Sequence, residues 1–276
     1  MDPYFQNDEL TLYCGDAADV LAELKSESAQ AILTSPPYWN LRDYGVDGQL
    51  GAEPTPAAYV DAMVTTFRSA RHVLRRDGAM WVNIGDSYIT NPGNGRGGER
   101  VGGGLPHRSA ADKTTAGLPM KNLVGIPWRL ALGLQDDRWI IRSDVIWEKP
   151  NVKPDGASDR PTVSHEYVFM LTRSPRYFYD RQAVAEPTAD GSGTRNRRTI
   201  WRIPTAPYRE AHFACWPPEL ARLMIASTSR EGDVVLDPFF GAGTTALAAR
   251  EIGRRTVGIE LNPDYCQLAL RRLGYA

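Results

Sequence analysis

The stretch Ile32-Leu33-Thr34-Ser35-Pro36-Pro37-Tyr38-Trp39 joins an apolar run to a hydroxyl, two prolines and aromatic rings. Proline fixes φ and lacks an N–H. The pair therefore stiffens the turn and holds the Ser35 hydroxyl and the Pro36 carbonyl as fixed hydrogen-bond acceptors. Two fixed acceptors suit the exocyclic amine of a nucleobase. Its lone pair is delocalised into the ring, and it becomes nucleophilic only when its N–H groups are held so that the nitrogen turns tetrahedral. Tyr38 can stack on such a base, and Trp39 can line the same pocket. A base inside a duplex is out of reach and has to be flipped, the aromatic platform repaying part of the lost stacking. Ser35, Pro36, Pro37 and Tyr38 are thus the candidate catalytic residues, and Trp39 is a candidate nucleic-acid contact. The plain alternative is a proline-rich strand exit with a packed ring.

A second cluster lies nearer the C-terminus. Val235-Leu236-Asp237-Pro238-Phe239-Phe240-Gly241-Ala242-Gly243-Thr244-Thr245 places a glycine-rich turn after an apolar run. Glycine lets the backbone approach a ligand that a side chain would block. The next apolar run, 256–260, ends in Glu260, whose carboxylate can accept hydrogen bonds from both hydroxyls of a ribose. That combination suits an adenosine cofactor. Gly241, Gly243 and Ala246 also satisfy the loose GxGxxG/A pattern of nicotinamide dinucleotide enzymes, so the glycines alone leave two cofactors open. A tight strand–helix connection without a ligand is the third reading.

Both clusters must be positioned by the elements around them, and these show a strand-then-helix rhythm, the pattern of a parallel sheet with helices on both faces. Strands are expected at Leu10–Cys14, Ala29–Thr34, 79–84, 139–147, 166–171, Val234–Asp237 and 256–260. Helices are expected at 17–25, 57–74, 122–134, 218–227 and 244–252, and at the C-terminus. Segments 87–121 and 180–208 fit neither period. The first carries Arg96, Arg100, Arg108, Lys113 and Lys121 against Glu99 and Asp112; the second gathers Arg195, Arg197, Arg198, Arg202 and Arg209 around Trp201 and Tyr208. Cations for phosphates mixed with rings for stacking suit a polynucleotide, although a solvated loop has the same composition.

The 276 residues, 42% hydrophobic and 24% charged, are expected to form a single domain, 1–276, with 87–121 and 180–208 as insertions. A net charge of −1 does not announce a nucleic-acid binder, which leaves the case to local distribution. Cys14, Cys215 and Cys266 lack CxxC spacing, and the four histidines lack ligand spacing, so neither a disulfide framework nor a metal is expected. No apolar run reaches membrane-spanning length and no leader pattern is visible, so a cytoplasmic location is expected.

LTSPPYW taken with DPFFGAGTT resembles the amino-methylating DNA methyltransferases of restriction-modification systems and phages. The arrangement is the β class, with the catalytic motif ahead of the cofactor motif. Further likeness runs through Ser143 to Asn151 (SDVIWEKPN), Ser164 to Ser174 (SHEYVFMLTRS) and His212 to Leu220 (HFACWPPEL). The resemblance implies a Rossmann-like, circularly permuted α/β fold with a mostly parallel seven-stranded sheet. It implies S-adenosyl-L-methionine as cofactor, with Asp16 near the adenine amine, Phe239 near the adenosine, and Thr244 or Thr245 near the methionine carboxylate. Phe213, Trp216 and Pro217 fall near the methionine end, and Asp237, Pro238, Gly241, Gly243, Glu260 and Asn262 complete the cofactor set. In this family a serine at the first motif position usually goes with N4-cytosine, and Asp or Asn with N6-adenine. Ser35 therefore points to cytosine, with adenine as runner-up. C5-cytosine chemistry needs a nucleophilic cysteine after proline, and none of the three cysteines follows one. The expected partners are double-stranded DNA, met partly through Arg195, Arg197 and Arg198, and a cognate restriction endonuclease; the expected state is monomer or homodimer.

Overall fold

The computed structural model describes residues 1–89, 117–152, 155–206 and 216–276. Along the chain lie β1 (Phe5–Gln6), β2 (Leu10–Cys14), α1 (Ala17–Glu23), β3 (Ala29–Thr34), α2 (Pro56–Val73) and β4 (Leu74–Ile84). Then come α3 (Ile126–Asp136), β5 (Ile140–Glu148), β6 (His165–Thr172), β7 (Glu186–Pro187), β8 (Thr194–Arg195) and β9 (Ile200–Arg202). The last elements are α4 (Pro218–Thr228), β10 (Val234–Asp237), α5 (Thr244–Glu251), β11 (Arg255–Glu260) and α6 (Pro263–Leu273).

Nine strands pair in the order β1-β2-β11-β10-β3-β4-β6-β5-β9. From β2 to β4 neighbours are parallel; β6 runs antiparallel to both β4 and β5, and β9 joins β5 in parallel. The seven expected strands form the centre. Two short ones extend the edges, β1 antiparallel on β2 and β9 on β5. β3 is buried at every position, Gln30 and Thr34 included, because helices cover both faces; its apolar centre Ala31-Ile32-Leu33 carries the sequence signal. On one face Val20, Tyr59, Phe67 and Leu130 of α1 to α3 pack on the sheet; on the other Leu220, Met224 and Ala248 of α4 and α5 do so.

Local rules account for the helix boundaries. Asp16 caps α1 through the Ala18 and Asp19 N–H groups, and Thr55 caps α2 through Ala58. α3 starts later than its apolar pattern, because Gly125 is left-handed at φ 78° and Pro127 follows. The Asp86 carboxylate receives the Gly125 and Ile126 N–H groups, capping the helix from another segment. β4 starts earlier than expected, at Leu74, with a register shift against β3 that accommodates the polar Arg75 to Gly78 stretch.

Segment 180–208, expected to stand outside the rhythm, is partly stitched into the sheet. Trp201 of β9 is buried 5.8 Å from Trp81, and the Trp147 indole donates to the Ile203 carbonyl. A three-residue strand carried by one buried tryptophan shows no periodicity in sequence. Arg96, Arg100, Arg108, Lys113, Tyr208, Arg209 and Phe213 lie outside the described residues.

Close packing yields a first prediction. A Cβ on Gly258 in β11 would sit 2.5 Å from the ring of Phe240, which is buried. Gly258→Ala is expected to cost about 1–3 kcal/mol through overpacking. Urea unfolding should show a lower midpoint at unchanged slope; an unmoved midpoint would mean that the ring yields freely.

Candidate active site

Because β2, β11, β10, β3 and β4 are parallel, their C-terminal ends share one edge of the sheet. The two reversals at β6 and β5 bring the start of β6 and the end of β5 to the same edge. A cavity of about 1030 Å³ opens there. It is lined at one end by Asp16, Gly241 and Glu260 and at the other by Ser35, Lys149 and Glu166. Ligand pockets commonly hold roughly 300–1,000 Å³, so this one has room for two ligands in contact.

The cofactor end is built on Glu260. Its carboxylate oxygens accept the Gly241 N–H at 2.8 Å and the Asn262 N–H at 2.9 Å, which ties the glycine turn to the end of β11. Burial raises the Glu260 carboxyl above its ordinary range. Gly241 stands at φ 51°, and a Cβ there would meet only the Phe239 carbonyl, at 4.0 Å, so the space beside it is open for a ligand. Asp16 uses one oxygen on the α1 N-cap, leaving the other for a ligand. Pro238, Phe239 and Thr244 also line the cavity, with Thr244 Oγ1 accepting from Arg272 at 2.8 Å. Asn262 caps α6 and reaches the Tyr44 carbonyl, linking the loop after the Ser35 motif to this end. Trp216 lines the cavity, and Pro217 stands behind it at the start of α4.

Three residues of the cofactor set work beneath the turn rather than on the cavity wall. Gly243, at φ 75°, packs against Leu273 and Phe240. Asp237 is fully buried and receives the Thr245 hydroxyl and, at 3.1 Å, the Phe239 N–H. Burial pushes the Asp237 carboxyl up to about 6, the hydrogen bonds resisting the rise. Below about pH 4 the group is protonated whether folded or unfolded, and the shift costs nothing. Between there and about pH 6 the unfolded chain ionises while the fold keeps the proton, so stability is lost as pH rises. Above that the full penalty stands, about 3 kcal/mol. Asp237→Asn is expected to gain on the wild type as pH climbs from about 4 to about 7; parallel stability curves would refute this role.

The opposite end holds the Ser35 motif. Tyr59 donates to the Pro37 carbonyl at 2.8 Å, fixing the proline turn from α2. The Tyr38 ring lies where a Cβ on Gly85 would be 2.7 Å away, so glycine leaves its berth. The Tyr38 hydroxyl donates to Glu166 Oε2 at 2.7 Å, receives Asn83 Nδ2 at 2.7 Å and stands 3.3 Å from Ser35 Oγ. Burial, together with the Glu166 charge, holds the Tyr38 phenol well above its usual pKa. Lys149 pairs with the second Glu166 oxygen.

Trp39 does not line this cavity, contrary to the sequence expectation. It is 1% exposed, with its indole N–H on the Glu53 carbonyl, so it anchors the following loop in the core. Arg195 and Arg198 both reach Glu186 Oε1 at 2.9 Å, clamping the β7–β8 ribbon, and Arg197 donates to the Val184 carbonyl. These bonds occupy one face of each guanidinium and leave Arg198 largely exposed. Asn83, Lys149 and Glu166 received no role from sequence. Their signal was a polar residue within or at the end of an apolar strand, which is weak without the pairing order.

The residues from β3 to α6, 29–271, match the sequence family described as DNA methylase, of N6/N4 type. The chain is 49% identical over 265 residues to the Type II methyltransferase M.Cfr9I of Citrobacter freundii, covering 95% of this chain and 87% of that protein. Among solved structures, TTHA0409 of Thermus thermophilus, complexed with S-adenosyl-L-methionine, superposes with a TM-score of 0.67 at 26% identity, over 96% of this chain and 95% of that one. The PvuII DNA methyltransferase (cytosine-N4-specific) shares the fold at a TM-score of 0.73 and 20% identity, over 98% and 88% of the two chains.

Proposed function

The chain belongs to the N6/N4 DNA methylase family, as a type II DNA methyltransferase that uses S-adenosyl-L-methionine, and from that premise we propose that it methylates the N4 amine of a flipped cytosine at one duplex sequence. The observation that carries this reading is that one cavity holds both the Glu260 and Gly241 end and Ser35 with Pro36. Serine as the first residue of the motif favours cytosine.

When bound, the cofactor supplies an electrophilic methyl group on a sulfonium. The chain's own residues do the rest. Glu260 and the Gly241 turn hold the adenosine end, and the Ser35 hydroxyl and Pro36 carbonyl take the two N–H groups of the target amine. The Tyr38 ring supports the base. The exposed side of Arg198, with Arg195 and Arg197 beside it, offers charge to the DNA backbone; segment 87–121, most of it outside the described residues, is the second segment assigned to recognition. A cognate endonuclease is the partner suggested by the type II relatives.

Sequencing that detects modified bases, run on DNA from cells expressing the protein, tests both target and specificity. N4-methylcytosine at one short motif is the expected result. N6-methyladenine there would overturn the cytosine reading, and methyl groups scattered without a motif would overturn site specificity.

A further inference from the structure

We propose that Glu166 is the final proton acceptor of a hydroxyl relay that runs from Ser35 through Tyr38, with Lys149 holding its carboxylate in place. This rests on the placing of the target amine at Ser35 given above.

The direction of the relay follows from its donors. A carboxylate only accepts, so the 2.7 Å contact between Tyr38 and Glu166 Oε2 uses the phenol proton. Asn83 Nδ2 is a donor and faces the Tyr38 oxygen at 2.7 Å, Glu166 Oε2 at 2.8 Å and Ser35 Oγ at 3.3 Å. With the Tyr38 proton committed to Glu166, the 3.3 Å Ser35–Tyr38 contact has Ser35 as its donor. Both hydroxyl protons therefore point along the chain toward Glu166, and Ser35, which also accepts from Asn83, keeps one lone pair for an incoming N–H. The chain ends on a shielded ion pair: the Lys149 and Glu166 side chains are only 17% and 16% exposed. Lys149 also lies 4.4 Å from the centre of the Trp147 ring, which supports its charge once the carboxylate is neutralised.

The step balances. The amine lone pair forms the new N–C bond while the methyl–sulfur bond breaks and its electron pair stays on sulfur. One amine proton is then surplus. It passes to Ser35 Oγ as the Ser35 proton moves to the Tyr38 oxygen and the Tyr38 proton to Glu166 Oε2. Both hydroxyls end as they began, and Glu166 ends neutral. The other ionisable groups facing Glu166 are committed elsewhere or remote from the relay. Asp86, after β4, holds the α3 backbone; Glu148, at the end of β5, pairs with Arg202; His165, on β6 itself, packs edge-on to Tyr167.

Two variants separate a relay from mere support. Glu166→Gln still accepts from Tyr38 and takes no proton; Tyr38→Phe keeps the ring and cuts the chain. Each should lower the single-turnover rate on a duplex carrying the target site by about 100-fold or more. Calorimetric affinities for S-adenosyl-L-methionine and for the duplex should stay within about threefold of wild type. The wild-type rate should fall about tenfold per pH unit on the acid side, and that fall should vanish in Glu166→Gln, with Glu166→Asp recovering part of the rate. Wild-type rates in both variants, or an unchanged acid limb in Glu166→Gln, would overturn the relay while leaving the cytosine reading intact. If Glu166→Gln does not fold, Tyr38→Phe decides alone. No transfer by the wild type would overturn both readings.

Discussion

Ser35→Ala is expected to lower the single-turnover rate of methyl transfer by about 100-fold or more, with cofactor affinity unchanged. The hydroxyl stands on the cavity wall at the end of β3, and its intramolecular contacts, to Tyr38 and Asn83, are both 3.3 Å long. Its loss therefore costs the fold little and the transfer step much. In the proposed step the hydroxyl acts where the amine nitrogen changes from planar to tetrahedral, an interaction stronger in the transition state than in the ground state. The defect should consequently appear in the rate rather than in DNA affinity. Tyr38→Ala should be at least as damaging, because it removes the platform for the base together with the hydroxyl bonded to Glu166. Rapid-quench measurement with labelled cofactor and the duplex site gives the numbers. A loss of less than about tenfold at Ser35 would make the Pro36 carbonyl the main acceptor, and wild-type rates in both variants would place the chemistry elsewhere.

The second large effect concerns the cofactor. Glu260→Ala is expected to weaken S-adenosyl-L-methionine binding by about 10- to 100-fold, the worth of one or two hydrogen bonds to a charged group. The side chain has two duties. In the proposed site it offers acceptors to the ribose; in the structure it holds the Gly241 and Asn262 N–H groups, so removal also loosens the turn. Gly241→Val should act by another route. The space beside Gly241 is empty of protein, so the valine side chain would enter the ligand's volume, and its φ of 51° suits no β-branched residue. Calorimetry on variants with wild-type circular dichroism tests both. Unchanged affinity in either folded variant would remove that residue from the cofactor site.

Much of the architecture was legible in the chain. Strands β2, β3 and β10 fall at the expected residues, because each is a short, mostly apolar stretch bounded by polar residues, glycine or proline. The Ser35 and Gly241 motifs were legible for a related reason: each lies in a short segment whose chemistry is local, a stiffened proline turn in one case and a left-handed glycine in the other. Trp39 was misread because an aromatic next to a motif is equally suited to a pocket wall and to a core anchor, and only the Glu53 carbonyl decides between them. Asp237 and Thr245 belong to the motif in sequence yet stand behind it: Asp237 ends β10 buried, and Thr245, in the first turn of α5, turns its hydroxyl onto that carboxylate.

The sequence by itself determined the strand–helix rhythm, the two motifs and the chemistry each can perform, because those depend on residues within a few positions of one another. Only the tertiary structure decided that Glu166 meets both Tyr38 and Lys149. That meeting depends on β6 running antiparallel between β4 and β5, which sets the start of one strand beside the ends of its two neighbours. Strand direction and order arise from how the whole sheet buries its apolar faces, and no stretch of sequence near residues 149 or 166 carries that information.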